Sequence, residues 1–296
     1  MKAQFDHILS SSFYLWFDDK ITREADAILD TGGQVFDAVV RGGSDESMDV
    51  PLNLDAYYCP DRQLVNNGIS EPSGVYVDGV FFDQGAAPYE LLIDHQEGRI
   101  LTKSVSSGGP DLIDSTISGN FKRKELNVYI TNETEEELLI QNDFVLGDID
   151  GEPTYLQQQA ELGDKKYTLP AAFISLNSSE NEAWALGGVD DTRSVIRVVI
   201  ITDSNYSLDA TLSLFRDSAR SCFALIDFEN FPFGEFYHVK NFPYDYLDFS
   251  SKNKSDLGSA YIQKVVVSKL FDRSGTQIPQ GLRVGFADFE VSSIRF

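Results

Sequence analysis

Cysteine, histidine, methionine and tryptophan are scarce in this chain, at two, three, two and two among 296 residues. The two cysteines, Cys59 and Cys222, are far apart and in unlike contexts, which excludes a disulfide framework. Cys222 falls on an apolar stripe and is expected as a small core residue. His7, His95 and His238 stand singly, with no i, i+4 pair and no cysteine at metal-ligand spacing, so zinc chemistry has no pattern to rest on. G-x-S-x-G, P-loop and G-x-G-x-x-G sequences are missing, which removes the usual support for a hydrolase, an NTPase or a dinucleotide enzyme. Long apolar runs are missing too. The one cluster near the start, in MKAQFDHILSSSFYLWFDD, is preceded by Asp6 and His7 and closed by Asp18 and Asp19, too early for a signal or a membrane span. A soluble protein made in a reducing cytoplasm, with no membrane association, is expected.

Basic residues are few: Lys and Arg total 24 against 47 Asp and Glu, a formal net charge of -23. Such a field repels phosphate backbones and excludes sequence-reading of DNA by counterion release. Two readings stay open, a highly charged surface that confers solubility and a negatively charged channel wall past which DNA slides.

What the chain does have is sheet-forming side chains, with 42% hydrophobic and 12% aromatic residues, 21 of them Phe and 13 Tyr. The stretch VYVDGVFFDQGAAPYELLIDHQEGRIL, residues 75–101, carries two hairpin signals. Asp78-Gly79 between VYV and VFF suits the left-handed pair of a type I′ turn. LLIDHQEGRILT turns at Gly98, where a missing Cβ permits positive φ. One small antiparallel sheet from Val75 to Thr102 is predicted, with Asp78, Asp94 and Glu97 as turn formers.

Elsewhere, residues 5–29 predict one or two short helices with Ile8, Phe13, Ile21, Ala25 and Ile28 on a shared face across a break near Asp18. LNVYITN predicts a strand, followed by ETEEE as a solvated turn or edge. A strand is expected at 172–176. SVIRVVIITD, 194–203, predicts a strand buried on both faces. Leu208, Leu212, Phe215, Ala219, Cys222 and Ile226 recur at helical spacing, predicting a long amphipathic helix over about 208–227, capped by Ser207 and packed on a sheet. The C-terminal runs AYIQKVVVSKLFDR and GLRVGFADFEVSSIRF predict strands. Leu282, Val284 and Phe286 share a face while Phe289 and Val291 have the opposite parity, so a bulge is expected near Ala287 or Asp288. The fold class is therefore α+β, predominantly β, with antiparallel sheets or a β-sandwich, N-terminal helices and the helix at 208–227. Two domains are expected: 1–125, a helix and hairpin region, and 126–296, a β-rich domain built on the strand-helix unit 194–227.

Two clusters merit weighing as sites. GDIDGEPTY, 147–155, gathers Asp148, Asp150 and Glu152 around a glycine but lacks the spacing and closing Glu of an EF-hand, which favours an acidic turn. FENFPFGEFYHVKNFPYDYLDF holds Glu229 and Glu235 among aromatics, as a sugar cleft does, yet aromatics at this density more often form core or a subunit interface. Phe13, Tyr14, Trp16, Phe231, Phe233, Phe236 and Tyr237 are accordingly the candidate interface residues, and no catalytic, metal or cofactor residue is assigned.

The hairpins VYVDGVFFDQG and LLIDHQEGRIL, with FYLWFDDKI near the start and GLRVGFADFEV near the end, resemble structural proteins of tailed-bacteriophage virions. That resemblance covers about the first hundred residues and the C-terminal strands. It implies a non-enzymatic subunit of an oligomeric ring in the head-to-tail neck or connector, without cofactor, assembled in the host cytoplasm and located in the virion. Its partners would be copies of itself, neighbouring portal, adaptor or tail proteins, and DNA passing through the lumen without sequence-specific binding. Removing residues 1–30 is then expected to abolish assembly and leave the fold intact. Alternatives are a tail, baseplate or capsid-decoration component, and a β-sandwich carbohydrate-binding module gripping sugar through exposed Trp16 and Trp184.

Overall fold

The computed structural model describes residues 5–29, 34–36, 38–41, 54–58, 63–68, 73–112, 114–141, 143–146, 154–155, 166–185, 189–232, 244–270 and 282–295. They form two compact units: a small one of residues 27–125 and 232–245, and a large one of 1–26, 126–231 and 246–296. Against the expected division into 1–125 and 126–296, residues 1–26 belong to the large unit and residues 232–245 to the small one. The first helix packs with the large unit because five consecutive large apolar residues, Phe13 to Phe17, go right round it and need cover on every side.

Among its described residues the small unit holds ten strands: β1 (Ile28–Leu29), β2 (Gln34–Phe36), β3 (Ala38–Arg41), β4 (Leu54–Tyr58), β5 (Gly74–Val77), β6 (Val80–Asp83), β7 (Leu92–Asp94), β8 (Arg99–Lys103), β9 (Ile117–Gly119) and β10 (Arg123–Lys124). Four run in the order β2-β9-β5-β6 and four in the order β3-β4-β8-β7, while β1 pairs with β10. Both four-stranded sheets feed one apolar cluster: Phe36, Val75, Val77 and Ile117 come from the first, and Tyr57, Ile93 and Ile100 from the second. The predicted hairpins therefore do not share a sheet. β5-β6 belongs to one and β7-β8 to the other, since Leu91 between them is itself core and the chain crosses there from sheet to sheet.

Their turns follow the chemistry of the residues. Val77 pairs with Val80, and Asp78 and Gly79 carry φ of 51° and 80°, the left-handed pair that a two-residue hairpin needs. Asp78 also holds the turn to the entry of β9, its carboxylate accepting from the Thr116 N–H at 2.8 Å. Gly98, at φ 63°, ends the second turn; within it the Asp94 carboxylate accepts from the Glu97 N–H at 3.3 Å and from Arg99 Nε at 2.9 Å.

In the large unit, α1 (Phe5–Asp19) is followed by a π-helical turn, Lys20–Glu24. The strands are β11 (Asn127–Ile130), β12 (Asp143–Leu146), β13 (Thr154–Tyr155), β14 (Lys166–Leu169), β15 (Ala171–Ala185), β16 (Val189–Thr202), β17 (Cys222–Ile226), β18 (Lys254–Leu270) and β19 (Arg283–Arg295); the remaining α-helices are α2 (Glu135–Gln141), α3 (Asn205–Arg216) and α4 (Tyr246–Lys252). Six strands join in the order β11-β15-β16-β19-β18-β17, parallel at β11-β15 and antiparallel elsewhere. Helix α1 touches both edge strands, β11 and β17, so the sheet curls around it as a half-barrel. Phe13 meets Phe223 of β17 and Phe289 of β19 edge-on, and Phe17 stacks on Phe215 of α3 at 3.9 Å. Where the β17-β18 register slips between Ala224 and Ile226, the Ser12 hydroxyl accepts the Ile226 N–H at 2.9 Å and satisfies the backbone there.

The opposite face of the sheet has a second core at one end, where Phe144, Tyr167 and Leu169 of the β12-β14 sheet and Leu138 of α2 pack on Phe173, Val199, Ile201 and Val284. This explains the parity switch in the last strand without a bulge. The β16-β19 register is continuous from Asp190↔Arg295 to Thr202↔Arg283, with Val284 and Phe286 on the second core and Phe289 facing α1. The irregularity falls instead on β18, between Ile262 and Lys264.

Further expectations are corrected. The helix predicted over 208–227 stops at Arg216; Arg220 takes φ 71°, and the Ser218 hydroxyl donates back to the Leu214 carbonyl at 3.1 Å. CFALI then alternates as a strand, leaving Cys222 exposed and not in the core. Its cap is Ser204, whose hydroxyl accepts the Ser207 N–H at 3.1 Å. The acidic run after LNVYITN enters helix α2 through a reciprocal cap, Thr134 N–H to the Glu137 carboxylate at 2.7 Å and Glu137 N–H to the Thr134 hydroxyl at 3.3 Å. Because α1 is the filling of the curled sheet, removing residues 1–30 is expected to unfold the large unit and not to leave the fold intact. Among the described residues no helix is long and apolar enough to cross a membrane.

Candidate interaction surface

Alternation along β5 sends Val75 and Val77 into the small unit's core, so Tyr76 must point the other way. The two-residue turn then fixes Tyr76 opposite Phe81, and the next ladders continue the line: Tyr76 pairs with Ser118, and Ser118 with Val35. The outer face of this sheet thus carries a row across all four strands, Val35-Ser118-Tyr76-Phe81. Its three large side chains are 49%, 37% and 43% exposed. The Tyr76 and Phe81 rings meet edge-on at 5.2 Å, which orders them as one aromatic ledge. Val80, 58% exposed, pairs with Val77 and lies on the other face of the sheet, at the end of its edge strand. Asp78 and Asp83 flank the hairpin, and Asp83 is held by the Ser73 hydroxyl at 2.8 Å. An apolar row with a polar border is the composition of a contact surface.

The aromatic residues expected at an interface are placed elsewhere. Phe13, Tyr14 and Trp16 are buried inside the large unit, at 0%, 1% and 4% exposure, with Trp16 against Phe215, Phe223 and Phe289. They are consumed by the fold's own core and offer no contact to another molecule. Phe231 is buried as well. Phe233, Phe236, Tyr237, His238 and Glu235 lie outside the described residues, as do Cys59 and the acidic cluster Asp148, Asp150 and Glu152. Burial of Trp16 removes it as a sugar platform.

Among the described residues five ionisable groups are perturbed, His95, Arg99, Glu137, Arg197 and Tyr246. His95, 1% exposed, contacts Phe121 edge-on at 5.9 Å, and neither ring nitrogen has a hydrogen-bond partner. Burial, with the Lys124 ammonium as a second cause, pushes its pKa down from 6.5 to about 3, so it is a neutral core side chain at physiological pH. Tyr246 is pushed up by burial and then by the Asp19 carboxylate. Arg197 forms a fork on Asp288, at 2.6 and 3.0 Å, reaches Glu135 and lies over the Phe286 ring at 5.9 Å. The Asp288 hydrogen bonds come first among the causes that hold it charged far above the ordinary range. That arrangement ties α2 to the six-stranded sheet. Among the described residues no three His, Cys, Asp or Glu side chains cluster as metal ligands would.

The row was legible in part. Period-two alternation together with the Asp-Gly turn places Tyr76 and Phe81 side by side on the outer face, whereas Val35 arrives there by a long-range pairing that no local pattern announces. Set against known proteins, the chain matches no protein-family model and no curated sequence.

Proposed function

We propose that this protein is a non-enzymatic structural subunit that acts by self-assembly, as a ring-forming component of the head-to-tail neck of a tailed-phage virion. The observation that carries the assembly reading is the outward row Val35, Tyr76 and Phe81. Side chains of this size left in water on a rigid sheet lose free energy that contact with another copy recovers. The virion setting is supported by the resemblance of VYVDGVFFDQG and LLIDHQEGRIL to virion proteins, and by the net charge of -23, which disfavours adhesion of DNA to a lumen wall. In this reading the small unit is a β-sandwich of two four-stranded sheets on one core, a rigid mount for the contact row.

Electron microscopy of the purified protein at high concentration tests it. Closed rings are expected, and their loss on changing Tyr76 and Phe81 to serine. Dispersed single particles at every concentration would sink the proposal.

A further inference from the structure

The long strands of the large unit outrun their neighbours at both edges of the six-stranded sheet. β11 pairs with β15 only at 171–174, with one more bond from the Thr131 N–H to the Ile174 carbonyl. Beyond that point β15 has a neighbour on one side only among the described residues, and residues 177–182 are all exposed. On the other edge β17 follows β18 as far as Tyr261, and the backbone bonds of Arg220 and Ser221 to Ile262 end the contact. From Lys264 to Leu270, β18 is paired with β19 alone among the described residues. Among the described residues each edge therefore carries backbone groups that no neighbouring strand pairs, and the β18 edge does so in a sequence, KVVVSKL, that favours strand pairing.

We infer that these two edges join copies of this chain head to tail, β18 of one copy pairing antiparallel with β15 of the next, so that the sheet continues from subunit to subunit. Strand polarity permits it: β15, β16, β19 and β18 alternate in direction, so a second copy placed alongside in the same orientation meets β18 with an antiparallel β15. The faces also match. Lys264, Val266 and Ser268 lie on the face of Glu290 and Asp288, and so do Ser178, Glu180 and Glu182, through Val195, Arg193 and Asp191. Aligning those faces sets Lys264 opposite Glu182, Val266 opposite Glu180 and Ser268 opposite Ser178. Lys264, already 2.9 Å from Glu290 on its own sheet, then stands between two carboxylates, a favourable cross-strand arrangement. Two β15 edges meeting each other would instead set Glu180 against Glu182 and repel. Unlike edges make a heterologous contact, the kind that closes into rings.

The inference rests on the assembly reading only in requiring that copies meet. It is tested by placing cysteines at Ser178 and Ser268 together in the full chain, with Cys59 and Cys222 changed to serine, and oxidising at the concentration where oligomers form. A ladder of covalent dimers, trimers and larger species is expected from the double variant and none from either single one. Glu182→Lys is expected to slow the cross-linking several-fold and Lys264→Glu with Glu182→Lys to restore it, a readout that does not depend on the new cysteines' effect on folding. Oligomers by light scattering without a ladder would overturn the edge pairing and leave assembly standing. Dimers from Ser268→Cys alone would overturn it in favour of β18 pairing with itself. A protein monomeric at all concentrations would overturn the assembly reading and this inference together.

Discussion

Replacing His95 with leucine removes a buried histidine that the fold keeps neutral, and the consequence is a change in how stability depends on pH. In the folded chain the imidazole titrates at about 3; in the unfolded chain it titrates at 6.5. Between those values the unfolded state binds a proton that the folded state refuses, so stability falls as pH drops below 6.5 and is unaffected by this group above it. Linkage gives a loss of about 2 kcal/mol between pH 7.5 and pH 5, approaching about 5 kcal/mol near pH 3. Falling pH also neutralises carboxylates in a chain of net charge -23, which relieves repulsion, but that contribution is common to both proteins and cancels in their difference. At pH 7.5 the leucine variant should be at least as stable as the parent, because two buried ring nitrogens without partners disappear with the histidine. The assay is urea denaturation at pH 7.5, 6 and 5, with hydrogen exchange of the β7-β8 amides to localise the effect to the small unit. Parallel pH profiles for the two proteins would refute the reasoning and show that His95 reaches solvent.

Four substitutions probe the scaffold. Gly79→Ala forces a Cβ into φ 80° with nothing within 4 Å to clash, so its cost is conformational alone, about 1–2 kcal/mol by chemical denaturation of the small unit. Phe13→Ala empties the centre of the aromatic cluster under the curled sheet and should cost about 3–5 kcal/mol, seen as an early loss of Trp16 fluorescence in urea. Ser204→Ala removes the side-chain acceptor at the start of α3 and should cost about 1 kcal/mol, whereas Ser207→Ala should cost less, which distinguishes the observed cap from the expected one.

The strands and the Asp-Gly hairpin were legible because their signals are local. Alternation and a turn of fixed length determine pairing without help from the rest of the chain, and SVIRVVIITD announces its burial on both faces by the unbroken apolar run Val198 to Ile201. What escaped depended on long-range packing. In LDATLSLFRDSARSCFALID the helical spacing of Ala219, Cys222 and Ile226 is coincidental, because β17 gains backbone partners from β18 that a local reading does not see. The parity change from Phe286 to Phe289 imitates a bulge because different elements cover the two faces of one strand, the β12-β14 sheet at one end and α1 at the other. Aromatic density near the N-terminus resembled a contact surface, yet a helix ringed by large apolar residues from Phe13 to Phe17 is equally what a curled sheet needs inside it. Of the contact row, Tyr76 and Phe81 were determined by the hairpin and Val35 only by its pairing to β9.

The central claim is that this protein acts through contacts between copies made on the outer row of the small unit. Solution mass by light scattering, measured across concentration for the parent and for Tyr76→Ser with Phe81→Ser, addresses it directly. The account predicts a discrete oligomer for the parent, and for the variant a lower mass at the same concentration with circular dichroism and melting temperature unchanged, since both side chains lie outside the core. Equal masses for the two proteins at every concentration would contradict it.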